Sequence, residues 1–343
     1  MVAIQAQEPA SPYLALWSRV DRFDPTDLDA AFRDQSVVKA TLMRMTLHAV
    51  HADDYPDFHD AMQTTLRASR LGDPRFTISG LSPEEALAFE GDLIEFATQP
   101  RTRGELEAML AQRIADPTSV WWALRSLMPL THAATGGPWS FARRAFVASR
   151  DRHRTTLRPE ALGTLIRRYL EGFGPASIAD IAQFARVPRG RIREALGAVG
   201  PLLELAGPGR ATLLDVPDGR AIPVADEPAP PRLLPMWDST LLAYDDRERM
   251  LPADLRPIVI RTNGDVLPTV LVGGFVAGIW RPIDGGIEVT AFRRIAADDW
   301  DGLALEARDL LRFLAARDPA AYSRHRRWWT RLPEPVEVRR LAG

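Results

Sequence analysis

The feature that most constrains this chain is a plan that occurs twice, 75 residues apart, beginning at Thr102 and again at Ser177. Each copy opens on a hydroxyl residue followed three positions later by an acid, Thr102 with Glu105 and Ser177 with Asp180. Such a capping box satisfies backbone N–H groups that a helix start leaves unpaired. In the first copy Leu106, Met109 and Leu110 recur at helical spacing, Asp116 and Pro117 break the pattern, and Val120, Trp121, Leu124 and Met128 mark a second helix. In the second copy Ile178, Ile181 and Phe184 mark one helix, residues 187–190 a turn, and Ile192, Leu196 and Val199 the next. Each second helix runs into a short apolar segment, 128–130 or 202–205, then a glycine turn (Gly136 and Gly137, or Gly207 and Gly209) and another strand. Helix, turn, helix and hairpin in that order is the winged-helix plan, whose second helix commonly enters the major groove of DNA. A third capping box, Ser82 with Glu85, marks a further helix start.

The chain carries a formal charge of only −2, so a surface for a polyanion must be local. The return strand of the first hairpin supplies one, with Arg143, Arg144, Phe146 and Arg150 followed by Arg152, His153 and Arg154. A basic strand beside an aromatic side chain suits phosphate tracking and wedging of a base step. The alternative is a solvated edge strand that uses charge against aggregation. Arg44, Arg143, Arg144, Arg150, Arg189 and Arg191 are the expected DNA contacts. Lys39 is the one lysine among 43 basic residues; arginine suits phosphates and base edges, although codon bias in a GC-rich genome explains the skew as simply.

At 343 residues there is room for two or three domains, and 46% hydrophobic with 26% charged residues is ordinary for a soluble globular protein. The absence of cysteine excludes disulfides and thiolate metal sites. No apolar run approaches a membrane span, and the first residues lack the features of a signal peptide. A monomer in the cytoplasm, associated with the nucleoid, is expected.

Residues 217–235 hold six prolines and read as an exposed linker. Beyond them 258–261, 269–272, 275–281 and 287–292 read as short strands, punctuated by Asn263-Gly264, Gly273-Gly274 and Gly285-Gly286. Residues 298–316 read as a long helix. The basic, aromatic tail 322–329 reads as a packed helix end, with a DNA contact as the alternative.

Few constellations could carry chemistry. His48, His51 and His59 lack metal spacing, because residues three apart in a strand point to opposite faces; no metal and no cofactor is expected. Phosphate loops, dinucleotide fingerprints and nucleophile elbows are missing from the sequence. Asp245 with Asp246, and Asp298, Asp299 and Asp301, read as turn and helix-start charges. What is left is Gln5-Ala6-Gln7-Glu8-Pro9, leading into a helix with Tyr13, Leu16 and Trp17. Two amides one residue apart point the same way if the backbone is extended or if both flank a helix end.

That motif, with Ser11-Pro12-Tyr13 and Leu16-Trp17-Ser18-Arg19 after it, resembles the AlkZ-like bacterial DNA glycosylases. Leu42-Met43-Arg44-Met45-Thr46-Leu47-His48, Leu234-Pro235-Met236-Trp237-Asp238-Ser239 with Asp246-Arg247, and the segment from Val272 to Trp280 are similar to further stretches of that family. The resemblance implies three winged-helix units and a small β-barrel closing on duplex DNA. It also implies excision of N7-alkylated purines, in some members unhooking of interstrand crosslinks made by azinomycin-type compounds, and a catalytic Gln-x-Gln motif that matches Gln5 and Gln7. An amide is neither acid nor base near neutral pH, but an N7-alkylpurine is already cationic and needs no protonation to leave. Two departures stand out. The family carries about 40 more residues ahead of this motif than the four found here, and the hairpin 131–139 is unlike the family's Pro-rich version.

The expected fold is therefore α+β, tandem winged-helix units followed by a small antiparallel β-barrel and a C-terminal helix. Residues 1–75 are expected to form an N-terminally incomplete first winged helix and connecting helix, 76–155 the second winged helix with its basic hairpin, 156–220 the third, and 221–343 the linker, barrel and helix. The expected partner is double-stranded DNA carrying an alkylated purine. A DNA-binding or regulatory protein without catalysis, and a protein-interaction scaffold, are the competing readings.

Overall fold

In the computed structural model, which describes residues 2–150, 157–217 and 229–342, all three capping boxes close. Ser82, Thr102 and Ser177 each accept the backbone N–H of the acid three residues on, and that acid's side chain accepts the N–H of the capping residue. Antiparallel sheets alternate with helices in two compact units, one formed by Met1–Ala3 and Thr26–Gly219, the other by Ile4–Pro25 and Arg220–Gly343.

In the first unit, the box at Thr102 starts the helix Arg103–Leu110, Asp116 caps the helix Pro117–Leu124, and the strands Leu130–His132 and Ala145–Ala148 follow. The box at Ser177 starts Ile178–Ala185, followed by Arg189–Ala195 and the paired strands Leu203–Ala206 and Thr212–Asp215. Both stretches thus run helix, helix, hairpin as the sequence spacing predicts. The helices Tyr55–Leu71 and Ala161–Phe173 pack together. The first buries Phe58, Met62 and Leu66 completely, a stripe at four-residue spacing.

The first hairpin is not an edge. Ala145–Ala148 pairs with Leu130–His132 on one side and Arg101–Thr102 on the other, and the sheet continues through Val37–Thr41 to Leu47–His51. All four residues Ala145–Ala148 are buried. Phe146 lies 5.0 Å, edge to face, from Trp121 and 4.7 Å from His132. It is a core residue and not a wedge, and the edge-strand reading is corrected for the same reason: the strand is covered on both edges and both faces. Arg152, His153 and Arg154 lie outside the described residues.

The second unit is built on a five-stranded antiparallel sheet in the order Glu337–Ala342, Gly286–Ala291, Phe275–Ile283, Thr269–Val272, Arg232–Leu234. Its tight hairpin needs Gly273 and Gly274 at φ 56° and 84°, a region open to glycine without strain. Trp280 is fully buried and donates its indole N–H to the carbonyl of Leu234 at 2.8 Å. The helix Ala297–Arg317 turns Trp300, Leu303, Ala307, Leu310 and Leu314 inward. Glu306 on this helix accepts from Arg232 at 2.7 Å and from the Leu233 N–H at 3.0 Å, which fastens the edge strand. Two sequence expectations are corrected here. Residues 232–234 form a strand where a linker was expected, while 218–228 lie outside the described residues; and 256–259 form a short helix, with only Ile260 bridging to Val266. Among the described residues no helix is long and apolar enough to cross a membrane.

Burial of histidines makes stability sensitive to acid, and His132 and His48 are both shifted down by it. His48 is completely buried, and burial, reinforced by Arg44, holds its pKa at about 3 against an ordinary 6.5. The folded value lies below the unfolded one, so the contribution is whole above pH 6.5 and is lost as pH falls toward 3. Unfolding free energy should fall by about 1.4 kcal/mol per pH unit across that window from this group. Denaturant titrations from pH 7 to pH 4 check this, and His48→Gln should flatten the slope by that amount.

Candidate active site

The amide motif lies in the second unit, between the short strand Ile4–Gln5 and the helix Ser11–Trp17. Gln5 is 2% exposed and Ala6 is fully enclosed, whereas Gln7 is open to solvent. The backbone leaves the extended conformation at Gln7 and turns into the helix, whose first N–H, that of Ser11, donates to the carbonyl of Glu8 at 3.0 Å. One amide is therefore held inside and its neighbour faces water, on either side of the point where strand becomes helix.

Glu8 fixes that point. Its carboxylate accepts from Arg324 and lies 3.1 Å from Nε2 of His325, and both partners sit on the 3-10 helix Ser323–Arg331. His325 is 5% exposed, with its Nδ1 3.6 Å from the carboxylate of Asp265, which in turn accepts the indole N–H of Trp328 at 2.7 Å. A second tie runs from Tyr322, whose hydroxyl lies 3.1 Å from Ser11 Oγ and accepts the N–H of Met236 at 3.3 Å. Burial and the nearby Glu8 carboxylate raise the Tyr322 pKa far above its usual range, so the phenol stays neutral. The basic, aromatic tail is thus packed, and it serves as the bracket of the amide motif.

The sequence motifs that share no neighbourhood in the chain meet here. Arg19, just past the helix Ser11–Trp17, donates to both oxygens of the buried Asp238 at 2.7 and 2.8 Å. Asp238 also caps the helix Ser239–Leu242 through the Thr240 N–H at 3.0 Å. Beside it Trp237 takes φ 53°, a conformation costly for a side-chain-bearing residue, and donates its indole N–H to Gly264 at 2.9 Å. Sequence reasoning marked both segments but missed Glu8, His325, Asp238 and Asp265 as their connectors. The available signal was the concentration of Arg, His and Trp in a tail that has no local reason for them.

Removal of the Glu8 carboxylate should cost about 1–3 kcal/mol in unfolding free energy, because it takes away the partner of the buried His325. It should also slow any reaction at Gln5 and Gln7 by about a hundredfold through misplacement. Glu8→Ala, followed by denaturation and by rate, tests both; an unchanged unfolding midpoint would show that the bracket holds nothing.

The expected DNA contacts fall into two groups, all in the first unit. Arg143 and Arg144 are exposed on the turn of the first hairpin, which is pinned by the Thr135 hydroxyl bonded to both the N–H and the carbonyl of Arg143. Arg189 and Arg191 are exposed on the helix Arg189–Ala195, whose Ile192 faces the core, and Arg186 and Arg193 extend the same basic surface. Arg44 is committed internally, and Arg150 is exposed with a bond at the surface. Arg44 donates to the carbonyl of Phe184 at 2.9 Å and lies 3.1 Å from His48 Nε2, and Arg150 donates to the carbonyl of Asp34. Arg44 and Met45 both have positive φ, 54° and 58°, so the bonds of Arg44 hold a strained turn between the strands Val37–Thr41 and Leu47–His51.

The sequence profile of the AlkZ-like DNA glycosylases matches residues 1–313. The interstrand DNA cross-link repair glycosylase of Streptomyces sahachiroi is 25% identical over 319 residues, covering 85% of this chain and 83% of that protein. The solved structure of the Streptomyces sahachiroi DNA glycosylase AlkZ superposes with a TM-score of 0.76 at 23% identity, covering 91% of this chain and 88% of that one.

Proposed function

The chain belongs to the AlkZ-like DNA glycosylase family, and from that premise we propose that it hydrolyses the N-glycosidic bond of cationic N7-alkylpurines in duplex DNA, with Gln5 and Gln7 as the catalytic pair. The observation that carries this reading is the amide motif itself: one enclosed glutamine, one glutamine facing solvent, and between them and the helix a carboxylate clamped by Arg324 and His325. Enclosed amides orient by hydrogen bonding, and positioning with fixed dipoles is what a charged leaving group leaves for the protein to supply.

In the proposed step the amides hold a water against the sugar carbon C1′. The water oxygen bonds to C1′ as the bond from C1′ to N9 breaks; that electron pair neutralises the purinium ring, and a water proton passes to solvent. The products are an abasic site and a neutral alkylpurine. Amides stabilise the oxocarbenium-like transition state through their oxygen dipoles. Because they cannot protonate a leaving group, neutral bases should be poor substrates. Since the substrate's own charge lowers the barrier, a tight extrusion pocket is not required, and this fits a bulky lesion such as the interstrand cross-link in the relative's name.

We further propose that the two helix, helix, hairpin stretches are winged-helix modules and that the five-stranded sheet corresponds to the small barrel of the family. Arg143, Arg144, Arg150, Arg189 and Arg191 are the proposed phosphate contacts, with Arg44 as a support of the fold. The test is incubation with duplex DNA containing one N7-methylguanine, with abasic sites scored by alkaline strand cleavage. Cleavage at the lesion is expected; binding without cleavage would point to a non-catalytic DNA-binding protein.

A further inference from the structure

The first unit contains a cavity that the amide chemistry does not use. It measures about 410 Å³ and is lined by Arg75, Ile78, Arg103, Ser119, Trp122 and Arg125 among others. Its apolar lining is the buried Trp121, the half-buried Trp122 and the exposed Ile78. Its rim is cationic. Arg70 and Arg75 stand over the Trp122 ring at 4.8 and 4.0 Å, Arg103 projects from the start of its helix, and Arg125 ends the helix Pro117–Leu124.

The charges on this rim do not balance. Arg75 has Asp73 at 2.8 Å and Arg103 has Glu107 at 2.7 Å. Arg125 has no hydrogen-bonding or ion-pair partner for its guanidinium among the described residues, and Nε of Arg70 is buried without one. Burial and then Arg144, Arg70, Arg103 and Arg75 push the Arg125 pKa down. A guanidinium keeps its charge at any ordinary pH. A half-buried guanidinium beside other arginines, with no acid paired to it among the described residues, is therefore a standing cost to the folded protein. An arrangement of this kind is relieved by an anion that arrives from outside.

We propose that this cavity seats a backbone phosphate of the bound duplex, with Arg125 as its principal ligand and the adjoining deoxyribose against Trp122 and Ile78. The inference rests on the reading of duplex DNA as substrate. Charge complementarity selects the phosphate, the apolar lining suits the sugar edge, and the hydroxyls of Thr118 and Ser119 on the same wall are suited to phosphate oxygens. Arg144, exposed on the hairpin and close enough to Arg125 to repel it, extends the same anionic track. The two repeats would then meet DNA differently. The helix Arg189–Ala195 presents exposed arginines, while the helix Pro117–Leu124 turns Ser119 and Trp122 into a phosphate seat and carries no basic residue.

The experiment measures affinity of the full chain for an unmodified duplex across a salt series, together with thermal unfolding, for wild type, Arg125→Gln, Arg103→Gln and Arg308→Gln. Each phosphate contact contributes about 0.9 to the slope of log affinity against log salt. Arg125→Gln should lower the slope by about that much and leave the unfolding midpoint at or above wild type, since it removes repulsion; a purely structural arginine would lower the midpoint instead. Arg103→Gln should lower the slope in the same direction, and Arg308→Gln, the same charge change on an exposed residue of the other unit, should not. A wild-type slope for Arg125→Gln overturns the proposal, as does an equal fall for Arg308→Gln. Inorganic pyrophosphate that raises the wild-type midpoint while Arg125→Gln binds duplex normally would assign the cavity to a free phosphate ligand and also overturn it. Excision of N7-methylguanine by the same variants at saturating enzyme separates this from the amide reading, which predicts normal release once DNA is bound.

Discussion

Gln5→Ala combined with Gln7→Ala is expected to lower the single-turnover rate of base release by at least about a hundred- to a thousandfold, with duplex affinity unchanged. Gln5 is enclosed at the end of its strand and Gln7 faces solvent where the chain turns, so truncation opens space without removing a charge. The folded unit keeps its Glu8 bracket and its Arg19 to Asp238 pair. Loss of rate without loss of binding is the signature of an interaction made in the transition state alone. Equal release by wild type and the double variant would remove the amides from the mechanism. The single variants are informative in turn: an enclosed, oriented amide is worth more than one that solvent can replace, so Gln5→Ala should be the more severe.

The largest expected loss of stability is at Trp280. Its side chain is completely buried at the centre of the second unit's sheet, with its N–H spent on the Leu234 carbonyl. Trp280→Ala should cost about 3–5 kcal/mol, from lost transfer energy and the cavity left behind. Phe275, on the same strand but 52% exposed, should cost within about 0.5 kcal/mol when truncated. Denaturant midpoints for the two variants provide the contrast. Trp280→Ala should also reduce excision in proportion to the unfolded fraction, since the Leu234 strand leads directly into Met236, Trp237 and Asp238, which hold the helix behind the amide motif.

What was legible in the sequence was local. Capping boxes, the Asp116-Pro117 break and paired glycines act over three or four residues, and the elements they announce are present with small shifts of boundary. The long helix of the second unit was readable from its leucine spacing. What was not legible was whatever depends on neighbours distant in the chain. Phe146 looked like an exposed aromatic among arginines because nothing in residues 143–150 reveals that strands cover it on both sides. Residues 258–261 have strand-like composition, yet Pro257 sits in the first turn of a short helix, where its missing N–H costs nothing. The amides themselves were visible as a motif, but their supports were not: Glu8 meets His325 across 317 residues and Arg19 meets Asp238 across 219. Arg44, one of the expected DNA contacts, sits in a strained turn and donates to the carbonyl of Phe184, a bond that nothing in its own segment announces.

The central claim is that two neutral amides excise a purine because the purine brings its own positive charge. It is tested most directly by free-base release from two otherwise identical duplexes, one carrying N7-methylguanine and the other its neutral isostere 7-deaza-7-methylguanine. The account predicts release of free base and an abasic site from the first duplex, and an intact second duplex under the same conditions. Release from both at similar rates, or from neither, would contradict it.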